Sequence, residues 1–146
     1  MGIIQITENK KQYLDLLLLA DEQEDMIDRY LTRGEMFVLS DGGVKAECVV
    51  TKEGEGIYEI KNIAVMPEAQ RKGYGRALID FVYHHYSDLK TLLVGTGDCD
   101  WTLNFYKSCG FIEDHRVKDY FITHYDQPIF ENGQQLRDQV VLRRGK

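Results

Sequence analysis

The apolar positions along the chain change period several times, and each change predicts an element. Ile3-Ile4-Gln5-Ile6 reads as a short first strand. Tyr13, Leu14, Leu17 and Leu18 then fall on one helical face, and Asn9 followed by Gln12 has the spacing of a capping box that would open that helix. The acidic run Asp21-Glu22-Gln23-Glu24-Asp25 interrupts the stripe, which resumes at Met26, Ile27, Tyr30 and Leu31 and stops at Gly34. Two short helices, or one broken helix, are expected. Strands follow over 35–40 and 44–52, joined by Asp41-Gly42-Gly43, and a third strand runs over 57–65 after the turn Glu53-Gly54-Glu55-Gly56. A helix over 73–86 places Tyr74, Leu78, Phe81, Val82 and His85 on one face. Then come a strand over 91–96 and a short helix from Asp100 to Cys109, with Gly110 as its stop. Strands near 111–123 and 136–143 close the chain, with Pro128 and Asn132-Gly133 in the loop between them. The order of helices, antiparallel meander, crossover helix, strand, helix and strands predicts an α/β (α+β) mixed sheet. With no repeat or linker, 146 residues predict a single domain over 1–146.

The strand 57–65 carries an irregularity. Apolar residues alternate at Tyr58 and Ile60 and again at Ile63 and Val65, so the step from 60 to 63 is three rather than two. An inserted residue at a β-bulge produces this slip, and the unpaired backbone groups it leaves are a docking edge for an extended ligand. A strand buried on both faces would show the same pattern without a bulge.

Directly after it stands Gln70-Arg71-Lys72-Gly73-Tyr74-Gly75-Arg76, where cationic side chains and two glycines meet the start of a helix. Glycine lets the backbone approach an anion, and free N–H groups at a helix start favour phosphate. The segment lacks the third glycine of a dinucleotide fingerprint and the Gly-Lys-Ser/Thr of a Walker loop. A phosphate cradle and a plain tight turn with a solvated basic pair both fit these residues.

Composition narrows the function. A net charge of −6 leaves no basic surplus for a nucleic-acid backbone or an anionic membrane. No apolar run approaches the roughly 18 residues of a membrane span, and the N-terminus lacks a secretion signal. Cys48, Cys99 and Cys109 are odd in number and form no CxxC pair, which predicts reduced thiols and a cytoplasmic protein. His84, His85, His115 and His124 show no metal-ligand spacing, so no metal is expected.

Ile63-Ala64-Val65, a five-residue spacer and Gln70-Arg71-Lys72-Gly73-Tyr74-Gly75-Arg76 resemble the acetyl-CoA-binding motif of the GNAT (Gcn5-related) N-acetyltransferases, Gln/Arg-x-x-Gly-x-Gly/Ala. Asn104-Phe105-Tyr106 with Gly110-Phe111 resembles the second motif of that family in its short form. The resemblance spans 57–111. It implies the GNAT acyl-CoA N-acyltransferase fold, a mostly antiparallel central sheet with a bulged, splayed fourth strand and flanking helices. It implies acetyl-CoA as co-substrate. The pantetheine arm would lie along the backbone of Ile63, Ala64 and Val65. The pyrophosphate would sit on Arg71, Lys72, Gly73, Tyr74, Gly75 and Arg76 with Gln70 opening the loop, and Asn104 would touch the cofactor. Tyr106 corresponds to the tyrosine near the thioester sulfur, so its phenol is the expected proton donor to the leaving thiolate. Glu59, six residues before Val65, is the expected base, with a water relay or a plain ion pair to Lys61 as the alternatives.

The reaction expected from this resemblance is acetyl transfer from acetyl-CoA to a primary amine, by direct attack in a ternary complex. A small-molecule acceptor is favoured over a protein. A protein N-acetyltransferase and a non-catalytic acetyl-CoA-binding regulator on the same fold are the rivals. The acidic segment 21–28 would border the acceptor by this resemblance, and a solvated acidic face explains it equally. The aromatic segment 119–130 is expected either to line the acceptor groove or to form a homodimer contact.

Overall fold

Period-two alternation in the first part of the chain builds an antiparallel meander. The computed structural model describes all 146 residues, which fall into two units, Met1–Leu89 and Lys90–Lys146. The first unit holds β1 (Gly2–Ile6), α1 (Leu14–Ala20), α2 (Glu24–Ile27), β2 (Glu35–Ser40), β3 (Val44–Gly54), β4 (Ile57–Val65) and α3 (Tyr74–His85). Its strands pair antiparallel in the order β1-β2-β3-β4. The register of β3 against β4 runs Val49 to Asn62 and then Val50 to Ile60, which leaves Lys61 as the extra residue of a bulge. The slip from 60 to 63 therefore has the cause expected of it. Residues facing Val49 and Val50 lie on opposite sides of the sheet, so the bulge puts Tyr58, Ile60, Ile63 and Val65 on one face and Asn62 and Ala64 on the other.

Each face is covered by helix. On the Asn62 side, Leu17, Ile27, Tyr30 and Leu31 pack with Met36, Val38 and Val49. On the other side, the Phe81 ring of α3 meets Phe37 edge-on at 5.2 Å, and Leu78, Ile79 and Val82 are fully buried. Truncating one such core side chain to alanine costs about 2–5 kcal/mol. Gly34 ends the helical region through close approach rather than an unusual dihedral. A Cβ there would stand 2.7 Å from Val49 Cγ1 and 2.8 Å from the Tyr30 carbonyl. The expected capping box does not form. Asn9 adopts a left-handed φ of 50° and makes no side-chain cap, and the Gln12 N–H closes a 3-10 turn on the Asn9 carbonyl at 3.0 Å. An N-cap needs extended backbone to aim its side chain at the helix start, and Asn9 lacks it.

The second unit holds β5 (Thr91–Gly97), α4 (Asp100–Ser108), β6 (Ile112–Val117), α5 (Tyr120–His124), β7 (Phe130–Glu131), β8 (Gln134–Gln135) and β9 (Gln139–Gly145). β9 is the central strand, antiparallel to β5 and to β6, and it buries Val140, Val141 and Leu142. The loop expected around Asn132-Gly133 is a small hairpin, β7 against β8, with both turn residues at positive φ. One element departs from expectation. The strand near 111–123 stops at Val117, and Tyr120–His124 is a helix. Asp119 takes a left-handed φ of 56°, and its carbonyl accepts the N–H groups of Ile122 and Thr123 at 3.1 and 2.9 Å. The aromatic side chains then meet four residues apart, Tyr120 with His124 and Phe121 stacked on Tyr125 at 5.4 Å.

Candidate active site

The strand β4 and the turn after it form a continuous feature of the first unit. The Met66 N–H donates to the Lys45 carbonyl at 2.9 Å, which fixes the alternation of the β3–β4 ladder. Lys45 with Met66 and Glu47 with Ala64 are thus the hydrogen-bonded pairs, and Ile63 and Val65 turn their N–H and C=O groups away from β3. The Gln70 side chain folds back onto this edge and donates Nε2 to the Val65 carbonyl at 3.2 Å. Ala64 contributes its backbone to β3 instead, and its small side chain is buried.

Between Gln70 and α3 the backbone changes hand twice. Arg71 holds φ 66° and Gly73 holds φ 86°. A left-handed arginine is costly, and such strain concentrates where a backbone must present groups to a ligand. Gly73 is the N-cap of α3 and offers no side-chain cap, so the N–H groups of Tyr74, Gly75 and Arg76 at the helix start have no acceptor within the helix. Alternating-hand backbone with successive N–H groups makes a concave anion site. Lys72 and Arg76 are exposed beside it. The Tyr74 hydroxyl donates to Asp41 Oδ2 at 2.7 Å, which ties the helix start to the β2–β3 turn, so Tyr74 faces the cradle with its backbone and not its phenol.

In the second unit the sequence Tyr106-Lys107-Ser108-Cys109-Gly110-Phe111 ends α4 in a Schellman motif. The Phe111 N–H donates to the Tyr106 carbonyl at 3.1 Å and the Gly110 N–H to the Lys107 carbonyl at 3.1 Å, with Gly110 at φ 94°. The Phe111 ring packs edge-on against Tyr106 at 5.8 Å, and Phe105 flanks the same ring at 5.2 Å. The glycine and phenylalanine of the second motif thereby fix the orientation of its tyrosine. Burial raises the Tyr106 phenol pKa well above the ordinary value, with Glu131 and Cys109 adding to the shift, so it stays a neutral hydroxyl. Asn104 is exposed on the same helix. The start of α4 is anchored by the Thr102 hydroxyl, which donates to Glu131 of β7.

Glu59 is half-buried on β4 and pairs with Lys61, the bulge residue, at 3.0 Å. The ion pair weighed in the sequence therefore exists. In the acidic segment Glu24 and Asp28 are exposed and share Lys11 at 2.7 and 2.8 Å, and the half-buried Asp21 accepts the Tyr30 hydroxyl at 3.0 Å. Two residues escaped the sequence reading. Glu47 is fully buried in β3 with neither carboxylate oxygen hydrogen-bonded, and Asn62 is buried in β4 with Oδ1 unpartnered. The available signal was one glutamate inside the apolar run Ala46-Glu47-Cys48-Val49-Val50. The three cysteines are buried and form no disulfide, and no helix is long and apolar enough to cross a membrane.

Residues 32–113 match the sequence family described as Acetyltransferase (GNAT) domain. The chain is 40% identical over 139 residues to the uncharacterized N-acetyltransferase YvbK of Bacillus subtilis (strain 168), covering 92% of this chain and 90% of that one. A GNAT family acetyltransferase from Elizabethkingia anophelis, crystallised with acetyl-CoA bound, superposes with a TM-score of 0.92 at 32% identity over 99% of this chain and 97% of that one. A Bacillus subtilis acetyltransferase in complex with CoA superposes with a TM-score of 0.88 at 36% identity, again over 99% and 97%. The IAA acetyltransferase from Bacillus cereus does so with a TM-score of 0.91 at 35% identity over 99% of each chain. The family match over 32–113 and the relative at 40% identity show that the chain belongs to the GNAT family of acetyltransferases.

Proposed function

We propose that the protein transfers acetyl from acetyl-CoA to the primary amine of a small molecule, by direct attack in a ternary complex. The observation that carries this reading is the turn Gln70–Gly75. Two left-handed residues and an uncapped helix start aim N–H groups at one concavity, directly after a strand whose Ile63 and Val65 point their backbone away from β3. The first feature suits a pyrophosphate and the second an extended amide-bearing arm. Acetyl-CoA has both. Relatives above 30% identity that were crystallised with acetyl-CoA or CoA support the same ligand.

In the proposed reaction the neutral amine attacks the thioester carbonyl, and sulfur leaves as a thiolate. Tyr106 donates the proton that the thiolate takes up, since its phenol is held protonated by burial. Glu59 receives the amine proton, directly or through water, with Lys61 at 3.0 Å holding its carboxylate in place. Thiol release from acetyl-CoA in the presence of a panel of primary amines tests the reading. Amine-dependent release with an acetylated product identified by mass spectrometry is expected, and release that no amine accelerates contradicts it.

A further inference from the structure

Glu47 has no place in the reaction as drawn, yet its environment is unusual. It lies at the centre of β3, fully buried, and both carboxylate oxygens lack a hydrogen-bond partner. The Ala64 amide opposite it moderates the pKa without closing a hydrogen bond. Asn62 lies diagonally across the same face, because Glu47 faces Ala64 and Asn62 faces Val49. Diagonal neighbours in an antiparallel pair stand within reach of long side chains.

The orientation of Asn62 is fixed by its neighbours. Its Nδ2 donates to the Leu17 carbonyl and to the Tyr30 hydroxyl, both at 3.0 Å. A backbone carbonyl only accepts, so the amide cannot be reversed, and Oδ1 must point away from both. Tyr30 in turn donates to Asp21 Oδ2 at 3.0 Å, and Asp21 is the member of the network that reaches solvent. The chain Asn62 to Tyr30 to Asp21 uses every donor it has. What remains is the Glu47 carboxyl and Asn62 Oδ1, three buried oxygens with no hydrogen-bond partner.

Leaving such groups unpaired costs free energy, and a ligand that brings donors recovers it. The complementary group carries several N–H bonds and a positive charge, which describes an alkylammonium. We propose that Glu47 and Asn62 form the subsite that recognises the acceptor amine as it arrives in its ammonium form, before it gives up the proton that leaves it neutral for attack, with Asp21 at the solvent end of the network. This rests on the acetyl-transfer reading above. It assigns one strand segment, 62–65, two tasks. The side chain of Asn62 receives the amine, while the backbone of Ile63 and Val65 serves the acyl donor.

The test is Glu47→Gln, which keeps the shape and removes the carboxyl that would ionise against a bound ammonium. Wild type and variant are compared by acetyl-CoA Kd from calorimetry, by Michaelis constants for both substrates across a primary-amine panel, and by thermal shift with each amine at saturating CoA. The expected result is an amine KM raised about 10- to 100-fold, the loss typical of a hydrogen bond to a charged group, with acetyl-CoA Kd and KM unchanged. Amine-induced thermal shifts should vanish in the variant, while the melting temperature without amine does not fall. A variant with wild-type amine KM overturns the subsite and leaves the acetyl-transfer reading intact. A wild type that binds acetyl-CoA but neither acetylates nor binds any primary amine overturns both.

Discussion

Substituting Gly73 separates backbone strain from phosphate recognition, because the two replacements that matter share one cost and differ in another. Gly73 sits at φ 86°, and a Cβ there would find nothing within 4 Å. Alanine therefore introduces conformational strain without a clash, about 1 kcal/mol, which lowers Tm by about 2–4 °C in a chain of this size. Aspartate carries comparable strain and adds a carboxylate at the mouth of the cradle. At about 6 Å from one phosphate charge, Coulomb repulsion is about 0.7 kcal/mol at the dielectric of water and about 2.8 kcal/mol at an effective dielectric of about 20. Acetyl-CoA affinity should thus fall about 3- to 100-fold further in Gly73→Asp than in Gly73→Ala. Calorimetric titration of both variants at low and high salt measures the difference, and the gap should shrink as screening grows. Equal dissociation constants for the two variants would refute the assignment of this turn to phosphate.

Other outcomes follow from the buried groups. Tyr106→Phe removes the donor while keeping the ring that Phe105 and Phe111 hold. Turnover should fall by about 100-fold or more with acetyl-CoA Kd unchanged, and wild-type turnover would remove Tyr106 from the chemistry. Burial raises the pKa of Glu47 well above the usual carboxylate range. A raised folded pKa means that the folded state holds a proton the unfolded state has lost, so stability is complete below the unfolded value of about 4.3 and declines as pH rises toward the folded value. Without amine, Glu47→Gln should therefore melt above wild type at pH 8, with the gap closing toward pH 4. Tyr30 and Asp21, the other titrating groups of that network, are retained in both proteins. A gap independent of pH would show that Glu47 does not titrate in this way.

How much was legible in advance depended on whether a signal was local. The bulge in β4 could be read because the pleat has a period of two and one extra residue shifts every later side chain, so Ile60 and Ile63 betray Lys61. The turn into α3 and the close of α4 could be read because glycines at positive φ mark them, Gly73 and Gly110. Tyr120–His124 could not, since an aromatic run suits a strand or a helix alike, and the left-handed Asp119 that decides between them leaves no mark in the sequence. Asn9 with Gln12 matched a capping pattern whose backbone never takes the needed shape. Glu47 was the larger miss. Its burial depends on Val38 and Ala64, its partners on β2 and β4, and on the helices above them, none of which is near in sequence. The pairing of Glu59 with Lys61 was visible as one of the alternatives for Glu59, and the structure adds the 3.0 Å contact.

The measurement that tests the central claim most directly is calorimetric titration of the purified protein with acetyl-CoA, with ATP and NAD as controls. Micromolar binding of acetyl-CoA, no heat from NAD and at most weak heat from ATP is the result predicted for a pyrophosphate cradle joined to a strand edge that reads a pantetheine arm. A folded protein that takes up no acetyl-CoA, or that binds all three alike, would contradict it.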